Sequence, residues 1–61
     1  MKKFYLFDIM DGDIKAFNTI KARKEYKEKV NDREGFSVCD ILNYKQMIKL
    51  INKQCPIREI N

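Results

Sequence analysis

The dipeptide Asp11-Gly12 limits the folds open to this chain more than any other feature. It separates an aromatic, β-prone run, Lys3 to Met10, from a second short run, Ile14 to Phe17. Asp-Gly is a favoured type I′ pair because both central residues of that turn take positive φ. A two-residue loop there predicts Met10 opposite Asp13, Ile9 opposite Ile14, Asp8 opposite Lys15 and Phe7 opposite Ala16. The Asp8–Lys15 pairing would be a favourable cross-strand ion pair. One face of the hairpin then carries Tyr5, Phe7, Ile9, Ile14 and Ala16, and the other carries Phe4, Leu6 and Phe17. Both faces are largely apolar, so both require cover.

The remaining elements follow from caps and periodicity. Asn18 or Thr19 can cap a helix from about Ile20 to Asn31 that ends before Gly35. Its apolar stripe, Ala22, Tyr26 and Val30, is narrow, which predicts a helix at the sheet edge or surface rather than deep in a core. Phe36 to Cys39 reads as a third strand, extending at most to Ile41. A second helix, capped by Asp40 or Asn43, places Ile41, Tyr44, Met47, Ile48, Ile51 and Cys55 on one side, and Pro56 stops it. Ile57 to Asn61 is either a loose tail or an edge strand. The expected fold is α+β, β-β-α-β-α, with a three-stranded antiparallel sheet of order 2-1-3 and two helices, spanning residues 1–61 as one small domain.

A chain of 61 residues buries only about 60% of its unfolded surface, so it needs an extra source of stability. Cys39 and Cys55 cannot form a disulfide framework, and histidine is absent. Two lone thiols do not complete a zinc site, so they are expected to be reduced and partly buried, as in a cytoplasmic protein. The Asp8-Ile9-Met10-Asp11-Gly12-Asp13 stretch fails as a calcium loop. With Gly12 at the invariant glycine, Phe7 and Asn18 fall where acids are required. No cofactor or metal is expected. The apolar run after Lys2-Lys3 is too short for a secretory signal, and no stretch is long enough to span a membrane.

Catalytic chemistry has little to work with. Ser37 is the sole serine, no histidine can serve as a base, and Gly12 and Gly35 are too far apart for a phosphate loop. The expectation is a protein that is not an enzyme. The net charge of +4 is unevenly distributed. In the first helix Lys21–Glu25, Lys24–Glu28 and Glu25–Lys29 stand at i, i+4, the pattern of a solvated helix. In the second, Lys45, Lys49 and Lys53 form a row of like charges, and no acid lies between Ile41 and Cys55. Such a row either serves solubility or contacts an acidic protein or a phosphate backbone.

Two functional classes follow as expectations. The first is a non-enzymatic protein-binding module, a small accessory or inhibitory protein. Its abundance of Ile, Lys and Asn fits an AT-rich phage or mobile-element origin. Lys45, Lys49 and Lys53 would meet a partner, and Tyr5, Phe7 and Ile9 would serve self-association, as a homodimer, or partner binding. The second is a small nucleic-acid-binding domain using the basic helices. The aromatics Phe4, Tyr5 and Phe7 could stack bases, but the sheet motif of RNA-binding domains is absent.

Overall fold

The computed structural model describes residues 4–60. Expectations that fall on residues 1–3 and 61, including a first strand beginning at Lys3, lie outside the described residues. The chain forms β1 (Phe4–Asp8), β2 (Asp13–Phe17), α1 (Ile20–Glu34), β3 (Cys39–Leu42), α2 (Tyr44–Asn52) and β4 (Ile57–Glu59). The sheet has four strands in the order β3-β1-β2-β4. β1 is antiparallel to both β2 and β3, whereas β4 runs parallel to β2.

The expected 2-1-3 order is therefore present, but the sheet is mixed and has a fourth strand. The reason lies on the outer edge of β2. Ile14 N–H donates to the Pro56 carbonyl at 2.9 Å, and Ile60 N–H donates to the Ala16 carbonyl at 2.8 Å. These bonds give partners to main-chain groups on the β2 edge, where unpaired ones are costly when buried. All five residues of β2, an inner strand of the sheet, are buried.

The hairpin turn is longer than the two-residue loop. Phe4 faces Phe17, Leu6 faces Lys15, Phe7 faces Ile14 and Asp8 faces Asp13, which leaves 9–12 as a four-residue connection. Asp8 stabilises it: one carboxylate oxygen accepts from Met10 N–H at 3.0 Å and Asp11 N–H at 3.3 Å. The Asp8 carbonyl accepts from Gly12 N–H at 2.7 Å. Gly12 has φ +70°, the left-handed conformation that the turn reading requires of it. The register moves by two residues, so each side chain keeps its face. Ile9 is the exception, since it leaves the strand for the turn.

Each face of the sheet is covered by one helix. Phe4, Leu6 and Phe17 pack with Val30, Val38, Cys39, Ala22 and Tyr26 on the α1 side. Tyr5, Phe7, Ile14 and Leu42 pack with Met47, Ile48, Leu50, Ile51 and Cys55 on the α2 side. The crossovers β2-α1-β3 and β3-α2-β4 run in opposite directions across the sheet. A common hand then requires opposite faces.

The narrow stripe Ala22, Tyr26 and Val30 is what α1 packs on the sheet, and Val30 is the one α1 residue fully buried, so α1 lies on the surface of the sheet as its stripe predicts. Phe17 and Tyr26 rings lie 5.4 Å apart, and the Arg23 guanidinium sits 5.7 Å from the centre of the Phe4 ring. Thr19 caps α1, accepting from Ala22 N–H, and Gly35 ends it at φ +80°. The third strand starts at Cys39, later than expected. Asn31 Oδ1 accepts from Val38 N–H at 2.9 Å, which ties the segment before β3 to α1, and Phe36 stays exposed. α2 begins with a capping box between Asn43 and Gln46. It ends at Asn52, before Pro56, and Gln54 follows at φ +65°. Ile41 and Tyr44 remain exposed, and Leu50 joins the packed face in their place.

Candidate functional site

The densest polar chemistry lies around the hairpin tip. Lys15 is 2% exposed and points to Asp11 at 2.7 Å and Asp13 at 2.8 Å. It hydrogen-bonds Asp13 Oδ2; Oδ1 lies equally near but has no hydrogen bond. Burial alone would push the Lys15 pKa down, but hydrogen bonds to Asp11 and Asp13 outweigh it and raise the value. The same hydrogen bond, with the lysine charge, holds the Asp11 carboxyl below its usual range. The predicted Asp8–Lys15 pair does not form. Asp8 instead accepts from the Tyr26 hydroxyl at 2.8 Å. Burial, reinforced by that hydrogen bond, drives the Tyr26 phenol well above its ordinary pKa.

This cluster is occupied with itself. Among the described residues no group of three His, Cys, Asp or Glu side chains is placed to hold a metal ion. The Lys15 ammonium is the cation that Asp11 and Asp13 share. Cys39 is buried, and burial raises its thiol pKa, which keeps it protonated and unreactive. Cys55 Sγ lies 3.7 Å from the Gly12 carbonyl. The described residues include no helix long and apolar enough to cross a membrane.

Accessible chemistry lies on the opposite side of the sheet. A cleft of about 300 Å³ opens between α2 and the β1–β3 pair. Phe7, Leu42 and Leu50 form its apolar floor, and Asp40, Gln46, Lys49 and Lys53 surround it. The sheet register places Asp40 beside Phe7, and the α2 turn places Lys53 one turn beyond Lys49. Both lysines lie near the helix C-terminus, where the macrodipole favours cations. Lys45, Lys49 and Lys53 are all exposed, but Lys45 stands outside the cleft.

Residues predicted for separate roles thus meet here. Phe7, expected on a self-association face, joins two members of the lysine row. Tyr5 and Phe7 are half-buried beneath α2, whereas Ile9 is 52% exposed in the turn. The three do not form one open face. Sequence reasoning missed Asp40, Gln46 and Leu50. Leu50 follows Lys49 directly and was readable as the apolar flank of the lysine row.

A second depression, of about 610 Å³, lies at the end of α1, where Glu28, Lys29 and Asp32 surround the exposed Phe36. It is larger, but its charges oppose one another and Asn31 is already bonded to Val38. The smaller cleft has the more coherent chemistry, with cations above an apolar floor. No family model matches the chain, and no curated protein or solved structure matches it either.

Proposed function

We propose that the chain is a non-enzymatic protein-binding module, a small cytoplasmic accessory or inhibitory protein, and that the cleft beside α2 meets its partner. One observation carries this reading: Lys49 and Lys53 flank a floor of Phe7, Leu42 and Leu50. An apolar floor supplies contact area, while unpaired cations at the rim select an acidic partner and speed encounter. The row carries a repulsion of a few tenths of a kcal/mol per like-charged pair, which an anionic partner would relieve. An origin in a phage or mobile element is compatible with such a small binding protein.

The alternative is a nucleic-acid-binding domain using the basic helices. Helix placement weighs against it. α1 and α2 cover opposite faces of the sheet, so their basic residues do not merge into one stripe. Affinity purification from native cells separates the two readings. The tagged wild-type chain is compared with a Lys45→Glu, Lys49→Glu, Lys53→Glu variant, each with and without nuclease. The expected result is a protein partner that survives nuclease and is lost from the variant. Loss of all captured material on nuclease treatment replaces this reading with the nucleic-acid one.

A further inference from the structure

The cleft beside α2 carries charges of both signs that do not meet. Lys49 and Lys53 belong to the α2 side and Asp40 to β3, and all three are exposed at its rim. None of them joins an ion pair among the described residues. The helix has no acid of its own to neutralise the lysines, since none lies between Ile41 and Cys55. The floor they surround is apolar: Leu42 is buried, and Phe7 and Leu50 are half-buried. A cation pair, an acid and an apolar surface therefore share one cleft of about 300 Å³. That volume is at the lower end for small-ligand pockets, about 300–1,000 Å³, so it accepts one or two residues rather than the successive anchors of a helix face.

We infer that the cleft captures the C-terminus of a partner protein whose last residue is apolar. This deepens the protein-binding reading, on which it rests, and names the partner's chemistry. The three groups on a terminal Cα match the three parts of the cleft. The α-carboxylate has two oxygens and accepts from both ammonium groups, carried by side chains about 5–6 Å apart at Cβ for an i, i+4 pair. The apolar side chain lies on Phe7, Leu42 and Leu50. The main-chain N–H donates to the Asp40 carboxylate. An acidic side chain inside a longer segment fits less well. It brings no apolar group on its own residue, and any further acid beside it meets the charge of Asp40. A free apolar amino acid carries the same groups. Small-molecule sites, however, bury about 70–90% of the ligand surface, and here every charged group at the rim is exposed. An open rim leaves room for the rest of a polypeptide to pass out to solvent.

The test uses the full chain and labelled hexapeptides ending in Leu, Ile, Val or Phe, each made with a free carboxylate and as the C-terminal amide. Binding is followed by fluorescence anisotropy, and methyl NMR locates it at Leu42 and Leu50. At least one free-acid peptide is expected to bind there and to weaken with added salt. Amidation should weaken it about tenfold or more, the loss of a charge-assisted contact. Lys49→Gln combined with Lys53→Gln should weaken the free acid to the same degree. Amidation should then cost nothing further, which separates direct pairing from a general charge effect. Asp40→Ala should weaken the amide as well as the free acid, by removing the N–H acceptor. Circular dichroism confirms that these variants, altered only at exposed positions, stay folded. Tighter binding to Asp40→Ala would show that this acid only repels the carboxylate, and overturns the three-point assignment. Equal binding of free acid and amide, or no binding of any free-acid peptide, overturns capture of a terminus. Displacement of the peptide by an equal concentration of leucine overturns it in favour of a free amino acid. In the first two cases, a nuclease-resistant partner captured by the wild-type chain and lost from the lysine-reversed variant would still support the protein-binding reading.

Discussion

Asp8 links three parts of the fold through one side chain. Its carboxylate caps the 9–12 turn and accepts from Tyr26, and its main chain lies between β2 and β3. Tyr26→Phe leaves a buried carboxylate oxygen without its partner, at a cost of about 1–3 kcal/mol, measurable by urea unfolding. The raised Tyr26 pKa also sets a pH dependence. The folded state favours the neutral phenol, so this stabilisation is complete below the unfolded tyrosine value near 10 and declines as pH rises above it. Tyr26→Phe should therefore flatten the fall in stability above about pH 10. Lys15 contributes in the same direction, since its folded pKa is raised too, and that part of the alkaline loss remains in the variant. Lys15→Met is the more severe change. It leaves the buried Asp13 carboxylate with only the exposed Arg58, at 3.9 Å, as a cation, a loss of up to about 3–5 kcal/mol, comparable with much of the stability of a domain this size. Adding Asp13→Asn should restore part of the loss. Circular dichroism and urea midpoints check both variants, and equal stability of Lys15→Met and wild type would remove the buried pair from the account.

At the scale of elements, the hairpin tip gives the cleanest prediction. Gly12 has φ +70° and no atom within 4 Å of where a Cβ would lie, so the cost of substitution there is conformational rather than steric against neighbours. Gly12→Val should lose about 1 kcal/mol or more, Gly12→Ala less, and Gly12→Asn least, because Asn visits the left-handed region most readily. Equal midpoints for the Asn and Val variants would contradict this. The same turn illustrates what was legible in the sequence. Alternation assigned Phe4, Leu6 and Phe17 to one face and Tyr5, Phe7 and Ile14 to the other, and a slip of two residues preserves that division. Loop length was not legible, because it depends on the Asp8 carboxylate capping its own turn. The position of β3 depends on Asn31 reaching Val38 seven residues along the chain. β4 becomes a strand by pairing with β2, and its three residues are exposed and carry no core pattern. For the candidate site, exposure of the lysine row could be read from its spacing. Its meeting with Phe7 and Asp40 could not, since that requires knowing which helix covers which face.

At the scale of the whole molecule, sheet coverage changes the expectation about self-association. The sequence argument for a homodimer assumed that the narrow stripe of α1 would leave one face of the hairpin open. In the structure Leu6, Ile14 and Phe17 are at most 1% exposed, because α1 closes one face and α2 the other. The total accessible surface is 4447 Å², against about 4,200 Å² for a compact monomer of this mass. The chain therefore needs no second copy to remove an unusual excess of surface from water. Among the described residues, the exposed large apolar ones are distributed over different elements: Ile9 and Met10 at the hairpin tip, Ile20 on α1, Phe36 after α1, Ile41 on β3, Tyr44 on α2, and Ile57 and Ile60 around β4. Edge pairing is the remaining route to a dimer, and it meets opposition at both ends of the sheet. At β3 it brings two lysine rows together, and β4 offers only three residues. The net charge of +4 adds a general repulsion between copies. The expected state is a monomer. Size exclusion coupled to light scattering should give 7.3 kDa, unchanged over about a tenfold range of micromolar concentration, where mass action would favour a dimer as concentration rises. A doubled mass that persists in high salt would point to an apolar interface between copies. A doubled mass lost when Ile41 is changed to proline would locate it at β3.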